Sequence, residues 1–407
     1  MLSDTSSVQP LTESTINILK AKHPHGKGGP FDRWDGYTAG TMPLDDVPLQ
    51  MTKRMKADTA AGVSGWTRAL MLHAFKDHNF TEFINVLVKQ VVQNKAPGMQ
   101  MLCASRLIPL DKPDGGVRPI AVGEIFYRVI MKTIMKTYFY PQCLHPFQFG
   151  VGSPGGVEPI VCLLERFIDG SEYPDFSCII SLDFSNAFNT LKRSSLSTAV
   201  RTHLRALYKP VKWAYGKPSP LVATDGDNLQ ILESSDGVRQ GDPLGPLLFS
   251  LGIKDVLEGL QEVVGDRGHV VAYLDDVFVI AKDNILDEIE DYFTAQDLNL
   301  QLNRSKCQVY DRNYLNTCGM QVLGTCIGPV QVRTDFLKFK IAGVVSKLDQ
   351  LPSLPSQYAL LLLTKCINQD LRHLQRTLYT EDMIDEWESL DQKLWHVAKL
   401  LRGSPRD

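Results

Sequence analysis

Two hydrophobic rhythms divide this chain. From Thr52 to Val92 apolar positions recur at helical spacing, with a break at Gly62–Gly65, and Pro97-Gly98 closes that N-terminal region. Between residues 100 and 185 short apolar runs alternate with helical spacing, and a helix is predicted across Glu124–Tyr140. The stretch Cys178-Ile-Ile-Ser-Leu-Asp-Phe184 reads as a buried strand that delivers Asp183 at its end. Pro243 and Pro246 mark a helix start, which Leu247–Val256 continues. Beyond Gly328 the spacing is helical again, interrupted at Leu351-Pro-Ser-Leu-Pro355. Residues 1–20 read as loosely ordered, and the Gly-, Pro- and Asp-rich stretch 22–50 reads as irregular connection.

One segment joins strand character to chemistry. In His269-Val-Val-Ala-Tyr-Leu-Asp-Asp-Val-Phe-Val-Ile280, β-prone apolar residues flank a carboxylate pair, which predicts two short strands with Asp275 and Asp276 at or beside the turn. Carboxylates that close cannot both ionise cheaply unless a cation neutralises them. A hard divalent ion with oxygen ligands is the simplest remedy, and a solvated Asp-Asp turn is the plain alternative.

Composition narrows the classes. A chain of 407 residues can bury a large core and should hold two or three domains or subdomains. No apolar run approaches the roughly 18 residues of a transmembrane helix, and Ala359–Leu363 is far too short. The N-terminus lacks the basic and apolar regions of a signal peptide. An intracellular protein of nucleus or cytoplasm is expected, neither secreted nor membrane-bound. Eight cysteines stand singly with no C-x-x-C pair, which suggests buried thiols in a reducing compartment. The net charge of −3 does not favour nucleic acid, but its distribution does. Phe184–Thr224 contains no acidic residue, while Lys192, Arg193, Arg201, Arg205, Lys209, Lys212 and Lys217 fall there, with Trp213 and Tyr215 among them. That composition suits phosphates and stacked bases, although a solvated basic face would look the same. A literal Gly150-x-Gly152-x-x-Gly155 is rejected as a dinucleotide site, because prolines crowd it and no strand precedes it.

Five local patterns then follow in order. They are Arg106-Leu-Ile-Pro-Leu-Asp-Lys112-Pro-Asp-Gly-Gly-Val-Arg118-Pro-Ile120; Ser181-Leu-Asp183-Phe-Ser-Asn-Ala-Phe188; Gly237-Val-Arg-Gln240-Gly241-Asp-Pro243-Leu-Gly-Pro-Leu-Leu-Phe249; Tyr273-Leu-Asp275-Asp276; and Leu298-Asn-Leu-Gln-Leu-Asn303-Arg-Ser-Lys306 with Val322-Leu323-Gly324. Across roughly residues 100 to 330 the series resembles the reverse transcriptase domain, and within it the non-LTR (LINE-like) retrotransposon and group II intron branch. Viral RNA polymerases, with Gly-Asp-Asp, and telomerases, which usually lack the Tyr of Tyr-x-Asp-Asp, resemble it less.

The resemblance implies an α+β right-hand polymerase with fingers, an antiparallel palm sheet with helices, and a helical thumb. The expected divisions are an N-terminal extension over 1–99, fingers and the start of the palm over 100–182, palm over 183–328 and thumb over 329–407. It implies RNA-directed DNA synthesis from dNTPs on an RNA template and DNA primer, with two Mg²⁺ ions for which Mn²⁺ could substitute. Asp183 and Asp275 would be the main metal ligands and Asp276 a supporting one. Lys112 and Arg118 would hold the triphosphate, and Gln240 and Gly241 would pack against template and incoming nucleotide, with Arg239 able to reach phosphate. Phe188, five residues after Asp183, would be a steric gate against the ribose 2′-hydroxyl. Lys306 would be the general acid toward pyrophosphate, and Leu323-Gly324 the primer-contacting turn. No endonuclease pattern accompanies the polymerase blocks, so a separate endonuclease domain or protein is an expected partner. A non-catalytic nucleic-acid binder is disfavoured by the intact aspartates, and a primer-independent RNA polymerase by Phe188.

Overall fold

The computed structural model describes residues 7–26, 31, 44–112, 115–379 and 381–403. The strands in chain order are β1 Ser105–Asp111, β2 Val117–Gly123, β3 Cys178–Leu182, β4 Ser219–Asp225, β5 Asn228–Ser234, β6 Gly268–Tyr273, β7 Asp276–Ala281, β8 Gln308–Asp311, β9 Met320–Val322 and β10 Thr325–Ile327.

Burial alternates along β1 and β2, as a sheet with one covered face requires. These strands join the β4–β5 hairpin in the order β2-β1-β4-β5, with β1 and β4 parallel. The covered face packs Leu107, Val117, Ala121, Leu221 and Ala223 against Leu11 and Leu19. Leu19 lies on a helix, Glu13–Lys22, where loose order was expected. Thr12 caps it by accepting from the Thr15 N–H at 3.2 Å, and its apolar side covers the sheet. Residues 219–234 lie within the stretch expected to form the palm, yet they complete the sheet begun by β1 and β2.

The second sheet runs β6-β7-β3-β8, antiparallel throughout. Alternate residues of its central strands enter different cores. Ile180, Leu182, Val277 and Val279 join the main core, whereas Ile179, Phe278 and Ile280 meet Leu164 and Phe167 of the helix Val157–Ile168. Cover on both faces explains why β3 is apolar but for Ser181 and why β7 is apolar throughout after Asp276.

Helices lie where spacing placed them, with shifted ends. Ile125–Tyr138 fills the expected 124–140. The pattern over 52–92 resolves into Val47–Arg54, Arg68–Ala74 and His78–Val92. The helix expected to start at the prolines is two, Gly245–Gly252 and Lys254–Val264. Of the stretch expected to be irregular, 27–30 and 32–43 lie outside the described residues. After β10, the helices Val330–Gln350, Ser356–Lys365, Arg372–Thr377 and Ile384–Leu401 pack around their own core of Leu337, Val344, Leu348, Leu363, Leu374, Leu390 and Val397. Among the described residues no helix is long and apolar enough to cross a membrane.

Candidate active site

Strands β6 and β7 are joined by a two-residue turn, Leu274-Asp275, closed by the pair Tyr273 and Asp276. Leu274 sits at φ 58°, a left-handed conformation that costs a non-glycine residue about 1–2 kcal/mol. Gln148, only 1% exposed, holds it there. The Leu274 N–H donates to Gln148 Oε1 at 3.0 Å, and Gln148 Nε2 donates to the Leu274 carbonyl at 2.8 Å. The neighbours of Gln148 run beside β6: Ala272 N–H donates to the Phe147 carbonyl at 2.8 Å, and Phe149 N–H donates to the Ala272 carbonyl at 2.9 Å. A Cβ on Gly150 would lie 2.7 Å from Leu274 Cγ and 2.8 Å from Leu274 N. The glycine that opens the rejected dinucleotide motif is thus a packing requirement of the acidic turn.

Asp183 leaves the end of β3. The pair Leu182–Val277 ends the β3–β7 ladder, so one further step of register sets Asp183 across from Asp276. Its backbone is fixed from the side of β8: the Asp183 N–H donates to Cys307 Sγ at 3.4 Å, and its carbonyl accepts from the Asn303 N–H at 2.7 Å. Lys306 lies in that same turn with an exposed side chain, its N–H bonded to the Asn303 carbonyl at 2.8 Å.

The electrostatics tie these residues together. Burial pushes the Asp275 carboxyl above its ordinary range, Asp183 pushes it further, and Arg118 and Lys112 pull it back. Asp276 keeps a solvent-exposed edge but sits low among protein atoms; desolvation, then Asp275, then Asp183 push it up to about 6. Among the described residues, no three His, Cys, Asp or Glu side chains form a ready-made metal cage. The donors nevertheless fit Mg²⁺, which is commonly held by one or two carboxylates with substrate phosphates and waters completing its shell.

Phe188 stacks on Phe249 with ring centres 4.4 Å apart and planes 9° off parallel, leaving the ring half-buried. Gly241, at φ 108°, has its close approach to protein: a Cβ there would lie 2.7 Å from the Ala121 carbonyl on β2, and the Ala121 N–H donates to the Gln240 carbonyl at 2.7 Å. Lys112 ends β1's side of the hairpin, its N–H bonded to the Gly116 carbonyl at 2.9 Å, and Arg118 is exposed on β2. Leu323 and Gly324, at φ 46° and 82°, form the two-residue turn between β9 and β10. His373 Nε2 meets the Leu323 carbonyl at 2.9 Å, tying this turn to the C-terminal helices.

Three expectations are corrected. Arg239 does not face phosphate: it is 3% exposed and bonds Asp242 through Nε at 3.0 Å and Nη2 at 2.6 Å. Its guanidinium lies 4.3 Å from the centre of the Tyr215 ring. The basic stretch is not a single binding face either, because Arg193, Trp213 and Tyr215 are buried. Arg193 serves the carbonyls of Gly237, Tyr215 and Ser234, and Trp213 donates to the Ala96 carbonyl at 2.8 Å. Charge along a sequence does not say which side of a helix faces water. The cysteines also differ from expectation, since Cys162, Cys318 and Cys366 are exposed.

Gln148, Cys307 and the residues around Asp242 escaped sequence reasoning. The partners of Gln148 and Cys307 are backbone groups far away in the chain that no pattern advertises, and Tyr127 and Tyr215 reach Asp242 from well upstream.

An acidic edge on an antiparallel sheet, a second sheet carrying basic residues beside it and a separate helical bundle define a right-hand polymerase of the α+β class. Residues 110–333, more than half of the chain, match the family described as reverse transcriptase (RNA-dependent DNA polymerase), and the chain belongs to that family. The retrotransposable element SLACS 132 kDa protein of Trypanosoma brucei gambiense is 29% identical over 262 residues, covering 59% of this chain and 20% of that protein. The Pol polyprotein from type-1 retrotransposable element R2 of Popillia japonica is 24% identical over 283 residues, covering 65% and 39%. The RNA-directed DNA polymerase from mobile element jockey of Drosophila funebris is 25% identical over 246 residues, covering 55% and 26%. These relatives come from the non-LTR branch that the motifs resemble, and this chain spans well under half of their length. Among solved structures, telomerase from Candida tropicalis with a fragment of telomeric RNA overlaps 81% of this chain and 59% of that one, at 11% identity and a TM-score of 0.45.

Proposed function

We propose that this chain is the RNA-directed DNA polymerase of a non-LTR-type retroelement, taking an RNA template, a DNA primer and dNTPs. The observation that carries the proposal is the meeting of Asp183 and Asp275 at one sheet edge, where Asp183 leaves β3 opposite the turn that carries Asp275 and its charge raises the cost of ionising Asp275. Asp183 and Asp275, supported by Asp276, would hold two Mg²⁺ ions, or Mn²⁺ in their place. Such ions supply charge stabilisation for the attacking and leaving oxygens of a phosphoryl transfer. The primer 3′-hydroxyl forms the new bond to the α-phosphorus, and the bond to pyrophosphate breaks. Lys112 and Arg118 draw the triphosphate toward the carboxylates, Phe188 bounds the sugar, and Gln240 and Gly241 back the nucleotide. Lys306 gives a proton to the departing pyrophosphate, and Leu323-Gly324 supports the primer end. An intracellular setting, nucleus or cytoplasm, fits eight unpaired cysteines. A separate endonuclease domain or protein would supply the nicked target.

Primer extension on an RNA template with dNTPs and Mg²⁺, comparing wild type with Asp275→Ala/Asp276→Ala, tests the proposal. Synthesis by wild type alone supports it. A folded wild type that binds primer–template and extends nothing overturns it in favour of a binding protein, and a preference for rNTPs without primer overturns it in favour of an RNA polymerase.

A further inference from the structure

Gln148 belongs to none of the motif blocks, yet it makes the most direct contact with the turn that carries Asp275. We infer that Gln148 is a positioning residue that holds the Asp275 carboxylate in its working place by clamping the backbone of Leu274; the inference rests on the polymerase reading of the site.

The clamp is two-sided. One carboxamide accepts from the Leu274 N–H and donates to the Leu274 carbonyl, at 3.0 and 2.8 Å. Exchanging its oxygen and nitrogen would set donor against donor, so the bonding fixes its orientation. At 1% exposure it has no competition from water. Its own backbone has little freedom, because Phe147 and Phe149 are both bonded to Ala272 on β6. Gly150 removes the one Cβ that would press on Leu274. Leu274 would not hold φ 58° unaided, since leucine disfavours that region. Relaxation there turns the following peptide, and that peptide carries Asp275. A displacement of about 1 Å at a reacting group commonly costs a hundredfold in rate.

Two variants separate positioning from mere folding. Gln148→Met keeps the volume and removes both hydrogen bonds. Gln148→Glu keeps the shape, and its protonated acid restores both bonds, the hydroxyl donating to the Leu274 carbonyl and the other oxygen accepting from its N–H. The measurements are single-turnover primer extension, dNTP KM, primer–template Kd, thermal unfolding, and hydrogen exchange at the Leu274 amide. Gln148→Met is expected to lower the chemical rate by about 10- to 100-fold with primer–template Kd unchanged, and to speed Leu274 exchange at least about tenfold. The activity of Gln148→Glu relative to wild type should rise several-fold between about pH 8 and about pH 6, as the buried acid takes up its proton. A wild-type rate in Gln148→Met overturns the inference. So does activity lost only in step with unfolding, with a flat pH ratio in Gln148→Glu. If wild type extends no primer, the polymerase reading falls instead, and unchanged Leu274 exchange in Gln148→Met overturns the clamp independently.

Discussion

Asp242 and Asp275 are both withdrawn from bulk water, and their surroundings are opposites. Asp242 accepts from Tyr127 Oη and Tyr215 Oη, each at 2.7 Å, from Arg239 through two nitrogens, and from the Leu244 N–H at 2.8 Å. Arg239 is satisfied in turn by Ser219 Oγ at 2.7 Å and by the Tyr127 hydroxyl at 2.9 Å. Asp275 has instead two other carboxylates for neighbours, countered by a backbone hydrogen bond and by the charges of Arg118 and Lys112. A fully paired buried charge is architecture, and here it fastens the Gln240-Gly241 loop to the helices beneath it. A partly buried acidic cluster is the arrangement that the proposed metal ions would neutralise.

Mutations should divide along that line. Asp275→Ala/Asp276→Ala is expected to reduce primer extension by on the order of a thousandfold or more while leaving the fold intact by circular dichroism, because the charge stabilisation lost is worth several kcal/mol. Asp242→Ala should do the reverse, costing about 3–5 kcal/mol in urea unfolding by stranding the buried Arg239. Equal destabilisation by the two changes would break the comparison. Phe188→Val should raise rNTP incorporation about tenfold or more in competition with dNTPs, since small changes in an apolar pocket are worth 1–3 kcal/mol. Unchanged sugar selectivity would leave Phe188 only its stacking on Phe249.

The smallest effect concerns pH. With Asp276 raised to about 6 and Asp275 also raised, the native state binds more protons than the unfolded chain between the ordinary aspartate range and about pH 6. Stability therefore falls as pH rises through that window. Asp276→Asn should flatten the slope and stabilise the protein at pH 7 without Mg²⁺, by on the order of 1 kcal/mol or less because solvent screens this exposed group. Thermal unfolding from about pH 4 to 7 measures it, and a slope that persists in the variant would assign the effect elsewhere.

The carboxylate site was largely legible because its parts are local. A buried strand ending in Asp183 and a hairpin around Asp275-Asp276 both announce themselves in short windows. The C-terminal helices were legible for the same reason. What failed was non-local. The β4–β5 hairpin carries a plain turn signal in Asp225-Gly226, but nothing nearby says that it pairs with β1, more than a hundred residues earlier. Arg239 and Arg193 carry the charge of binding residues, and only the burial of Tyr127 and Tyr215 around them shows that they are structural. The helix Glu13–Lys22 was missed because a short helix draws its stability from the sheet it covers.

The helices from Val330 onward share a core that takes in Cys326 of β10, and they are also tied to the rest by His373 at the Leu323 carbonyl, Arg333 at the Gly328 carbonyl and an ion pair between Arg376 and Glu158. Every proposed catalytic side chain, from Lys112 to Lys306, has by then been synthesised. Since such units generally fold in the order in which they leave the ribosome, the acidic edge can be assembled before the bundle beside it exists. The helices from Val330 onward would then dock after it, onto a site already built.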